Sequence, residues 1–153
     1  MTAVTEIIAS YLTDRDIRNE RVSGNDWALQ LRGEKKFSIT VLLAVRERTL
    51  QIESFFIRRA AENHADFYRM LLRANMRVYG VRFAIDDAGD VFLVARVALD
   101  AVNDDELDRL LGAILTTSDE MFMPAIEVGF ASYLERDMAW RAAQKFAEPT
   151  VRE

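Results

Sequence analysis

The chain has 153 residues, half of them hydrophobic and 29% charged, with no cysteine, one histidine and a formal net charge of −5. Such a chain buries enough surface for one ordinary core over residues 1–153, and its composition excludes intrinsic disorder, fibrous repeats, disulfides and thiolate metal sites. The acidic balance speaks against nucleic acid as a partner. No leader-like start or run of 18 apolar residues marks a signal peptide or membrane span, so a cytoplasmic protein is expected.

Val4, Ile7, Ile8, Tyr11 and Leu12 recur at helical spacing and predict an opening helix over 3–13. The polar stretch Thr13 to Asp26 reads as a long loop. From Trp27 the period becomes two. Trp27, Leu29 and Leu31 form one strand; Phe37, Ile39, Val41, Leu43 and Val45 share a face of the next; Leu50, Ile52, Ser54 and Phe56 share a face of a third over 49–57. Short links make these an antiparallel meander. Helical spacing returns over 62–78, with Phe67, Met70, Leu71 and Ala74 on one stripe and Glu62 and Asp66 near the start, where the helix dipole favours negative charge.

A hairpin follows, Val81 to Ile85 and Val91 to Ala98 around the turn Asp86-Asp87-Ala88-Gly89-Asp90; its second strand is apolar on both faces except at Arg96 and reads as interior. Asn103 is the expected N-cap of a helix striped with Leu107, Leu110, Leu111, Ile114 and Leu115. Pro124 predicts a kink or break near 119–124 and a final helix from about Pro124 to Phe146. The order helix, three-stranded antiparallel meander, helix, β-hairpin, long kinked C-terminal helix is that of a two-layer α+β domain.

No glycine-rich phosphate loop, nucleophile elbow or histidine cluster is present, so no catalytic residue, cofactor or metal site is expected. His64, alone, reads as a surface or capping residue, and Asp86 to Asp90 as a hairpin turn, because its spacing is not that of a calcium loop. Asp100, Asp104, Asp105, Glu106 and Asp108 suit a helix N-terminus. Arg69, Arg73 and Arg77 recur every four residues; they form a solvated face, or contact an anion or acidic partner. Met121, Phe122 and Met123 beside Pro124 either fill the core under the kink or, with Phe130 and Tyr133, lie at a partner or dimer interface. Residues 1–82 carry 14 basic and 10 acidic side chains, net +4, and residues 83–153 carry 6 and 15, net −9. That polarity favours association, with the same fold or another chain.

The segment Gly89-Asp90-Val91-Phe92-Leu93-Val94-Ala95-Arg96-Val97, followed by Leu107-Asp108-Arg109-Leu110-Leu111 and by Asp119-Glu120 ahead of Pro124, resembles the YbjN family of bacterial sensory-transduction regulators. The resemblance covers about 3–135 as topology and about 86–130 as sequence; a helical extension from about Glu135 goes beyond it. It implies a fold like that of type III secretion chaperones, and a homodimeric, non-enzymatic regulator that binds another polypeptide. The alternative is a small-ligand sensor or weak enzyme with Arg96, Glu53 and Ser54 around a pocket between sheet and helices.

Overall fold

Helix α1 (Thr2–Asp14) is followed by strands β1 (Arg18–Arg21), β2 (Asp26–Leu31), β3 (Ile39–Val45) and β4 (Thr49–Ile57), then by α2 (His64–Ala74), the hairpin β5 (Arg82–Ile85) and β6 (Val91–Ala98), and two consecutive helices, α3 (Asp104–Gly129) and α4 (Ala131–Ala147). This computed structural model describes residues 2–36 and 38–147. The strands form one antiparallel sheet in the order β1-β2-β3-β4-β6-β5. The molecule is thus α+β, with the meander, hairpin and helices in the expected order.

Alternation builds the core. Ile39, Val41, Leu43 and Val45 from β3, and Leu50, Ile52, Ser54 and Phe56 from β4, all turn to the covered face and are buried there. Phe37, expected on the same face, lies outside the described residues. β6 sits between β4 and β5, and buries Val91, Leu93, Ala95 and Val97 beneath the helices. Onto this face α1 brings Ile8 and Leu12, α2 brings Phe67 and Leu71, and α3 brings Leu107, Leu110 and Ile114. Each such side chain contributes about 1.5–3 kcal/mol on removal from water. Phe56 meets Phe83 and Phe122 edge-on, with centroids 5.1 and 6.4 Å apart.

Three expectations are corrected. The stretch read as a loop contains β1, whose Arg18 to Arg21 pair with Gln30 to Trp27; all four residues are exposed, so the strand exists through backbone pairing and leaves no apolar period. The second helix spans His64–Ala74, inside the predicted 62–78: Asn63 takes a left-handed conformation (φ 54°) before it, and beyond it the Asn75 side chain turns to β5. Of the kink or break expected near 119–124, the break falls instead at Phe130, and α3 is continuous through Pro124. A proline removes one helical hydrogen bond, whereas Gly129 surrenders its carbonyl to the N–H groups of Ala61 and Glu62 (2.9 and 3.2 Å). The helix therefore stops where an outside loop takes its acceptor.

Candidate protein-binding surfaces

The polar networks within the fold join one element to another. Tyr11, buried on α1, donates its hydroxyl to Asp108 on α3 (2.6 Å), and Arg15 grips the same carboxylate with two nitrogens (2.8 and 3.0 Å). Burial, then the bond to Asp108, pushes the Tyr11 hydroxyl well above its ordinary range, while Arg15, then Tyr11, hold Asp108 below the usual carboxylate range. Asp119, on α3, accepts the backbone N–H groups of Lys35 and Lys36, which lowers its carboxyl in the same way and pins the β2–β3 loop. Glu62 does not serve α2. Its carboxylate accepts the Ser132 N–H (2.6 Å) and hydroxyl (2.9 Å) in the first turn of α4, and those two bonds hold it below the ordinary range.

The α3–α4 junction is therefore clamped. Asn63 donates to the Val128 carbonyl (2.9 Å), and a Cβ on Gly129 would lie 2.8 Å from the Phe67 ring and 3.0 Å from Ala60, so only glycine permits this approach. Of the expected cluster, Met121 and Phe130 are buried, Phe122 is partly buried against Phe56, and Met123 and Tyr133 are exposed. Arg58 stacks over Phe130 and Tyr133, and Arg136 over Tyr133 from within α4. Beyond its first turn, residues 135–144 of α4 are all exposed, Met138 and Trp140 among them.

A larger apolar surface, which periodicity alone did not mark, lies at the β5 edge. Tyr68, Leu72 and Met76 follow one another at four-residue spacing along and just beyond α2; Leu72 is 66% and Met76 89% exposed, and Ile85 of β5 stands beside Tyr68 and Leu72, half exposed. Tyr68, Leu72, Phe83 and Ile85 line one depression between helix and strand. The signal was available in the sequence, since Leu72 and Met76 fall off the Phe67, Leu71, Ala74 stripe that meets the core. At this edge the Asn75 amide accepts the Phe83 N–H (2.7 Å) and donates to the Phe83 carbonyl (3.3 Å), so the backbone there is already satisfied. Arg69, Arg73 and Arg77 run along the other flank of α2 and share a groove with Met70, Met121 and Pro124. Arg69 pairs with Asp66 (3.2 Å).

The residues of the pocket alternative are not brought together. Ser54 is buried and donates to the Thr40 carbonyl (2.8 Å), whereas Glu53 and Arg96 are exposed on the open face of the sheet beside Leu42 and Phe55. The His64 ring donates to the Ala60 carbonyl (2.8 Å). Asp86 accepts the N–H groups of Ala88 and Asp90, as a hairpin turn requires. Among the described residues no three acidic or histidine side chains are grouped as metal ligands, and no helix is long and apolar enough to cross a membrane.

Residues 5–127 match the YbjN family, described as "Putative bacterial sensory transduction regulator". Proteins of Mycobacterium tuberculosis and Mycobacterium bovis are 42% identical over 116 residues, and one of Mycobacterium leprae is 34% identical; these alignments cover 76% of this chain and 63% of the relatives' length. The fold is similar to chains in the Pseudomonas aeruginosa ExoU-SpcU type III secretion complex (TM-score 0.56, 17% identity, 74% of this chain and 93% of that one) and in the ExsC-ExsE complex (0.57, 14%, 80% and 92%). It is also similar to the Yersinia pestis type III secretion chaperone SycH in complex with a stable fragment of a second protein (0.53, 16%, 75% and 96%). α4 lies outside the family-matched stretch.

Proposed function

The chain belongs to the YbjN family, with a type III secretion chaperone fold, and from that premise we propose that it is a non-enzymatic, cytoplasmic protein-binding module that works as a homodimer. One observation carries the reading: Leu72, Met76 and Ile85, all exposed, gather around Tyr68 at one sheet edge, on a fold whose polar networks are engaged in joining its own elements. A contiguous apolar patch of this kind marks an interaction site. Charge supports a second copy as its occupant. Two β5 edges approaching antiparallel about a two-fold axis set the Arg82 end of each strand opposite the Ile85 end of the other, where Asp86 and Asp87 begin. Because Asn75 already serves the Phe83 backbone, this contact is made by side chains of α2 and Ile85 rather than by a continuous sheet. Met123 and Tyr133, both exposed, then remain for a partner chain; the similar folds were likewise solved in complex with a second protein. Sedimentation of the full chain tests this: a dimer is expected, and Leu72→Asp with Met76→Asp, both at exposed positions, shifts it to monomer with an unchanged far-UV spectrum. A chain that sediments as monomer across the micromolar range, or a double variant that stays dimeric, overturns this mode of self-association.

A further inference from the structure

Resting on the reading of the chain as a protein-binding module, we propose that the groove between α2 and α3 receives an amphipathic helix of another protein, one whose apolar ridge is flanked by carboxylates at four-residue spacing. Arg69, Arg73 and Arg77 form one wall, and Arg109 stands further along between the helices. Four residues of α-helix rise about 6 Å, so the wall repeats its charge at the interval at which a helix lying alongside repeats an acidic side chain. Asp66 and Glu106 partly neutralise Arg69 and Arg109 at the two ends, and Glu120 lines the middle; Arg73 and Arg77 make no ion pair among the described residues. The floor offers Met70, Met121 and Pro124, and methionine adapts to the ridge laid upon it. Space is available as well: a Cβ placed on Gly112 of α3 meets no atom within 4 Å. A second copy does not supply this helix. Over its exposed residues 135–144, α4 carries Glu135 and Asp137 among Arg136 and Arg141, and so presents no acidic row.

The probe is a fluorescein-labelled 18-residue synthetic helix with a leucine ridge flanked by glutamates at every fourth position, compared with the same peptide carrying lysines there. Anisotropy with the full chain is expected to show binding of the glutamate peptide alone, weakening as salt rises. Gly112→Leu, which fills the groove and raises helix propensity, and Arg73→Glu with Arg77→Glu are each expected to cut affinity at least tenfold without loss of helical signal. Equal binding of both peptides, no binding of either, or unchanged binding by Gly112→Leu overturns the proposal. Sedimentation of the same samples separates the two readings: a chain that dimerises and ignores the glutamate peptide sinks the groove and leaves self-association standing.

Discussion

Gly129 shows how much one missing methyl group can hold. Alanine there would push into the Phe67 ring and Ala60, neither of which is the free end of a flexible chain, so Gly129→Ala is expected to cost about 1–3 kcal/mol by urea denaturation. Tyr11 is a second such point: phenylalanine keeps the packing but leaves Asp108 to Arg15 alone, and a loss of about 1–2 kcal/mol is expected from the same measurement. Neither role could be read beforehand. Tyr11 is legible as one apolar position of a helical stripe, but its hydroxyl finds a partner 97 residues away, and no periodicity encodes that distance. Asn103 was legible, because an N-cap needs only the residue three places on; its side chain accepts the Glu106 N–H at 2.8 Å.

Elements are joined in this molecule by carboxylates. Asp108 ties α3 to α1, Asp119 ties α3 to the β2–β3 loop, and Glu62 ties α4 to the segment before α2. Each is held below its ordinary range in the folded state, so between the folded and unfolded values the unfolded chain binds more protons, and stability falls as pH falls. Urea midpoints are expected to be level near neutrality and to drop from about pH 5 downward; Asp119→Asn should be less stable at pH 7 and show a shallower drop. Element boundaries were legible wherever local signals act alone, as in β4, where alternation gives Thr49–Ile57. They were not legible where a distant segment intervenes: β1 is recruited by the edge of β2, and α3 ends because residues 61 and 62 claim its carbonyl. α4 offers a direct reporter. Trp27 is buried and Trp140 is 61% exposed, so the isolated chain should emit with one quenchable tryptophan; iodide that reaches neither would show α4 to be covered.

For the whole molecule, the charge polarity read from the sequence acquires a location. The acidic half includes the turn that closes β5 and the start of α3, and the basic half includes the flank of α2, so both signs meet around the β5 edge and the α2–α3 groove. Association through the edge should accordingly weaken with salt, and the dimer dissociation constant is expected to rise severalfold between 50 and 500 mM sodium chloride in sedimentation runs; a constant that falls with salt would assign the contact to apolar burial alone. The layer architecture was legible because it follows from element order. For the exposed apolar surface only half was legible: Leu72 and Met76 fall off the core stripe of α2, but that they lie beside Ile85 of β5 depends on how the helix docks on the sheet.

The sheet has two ends, and they differ in kind. At one, the short strand β1 exposes Arg18, Asn19, Glu20 and Arg21; at the other, β5 lies beside bare leucine and methionine. A unit adhesive at both ends would stack into an endless ribbon. In the proposed dimer the charged β1 end lies away from the contact, so a second copy meets the adhesive end and leaves no like surface for a third.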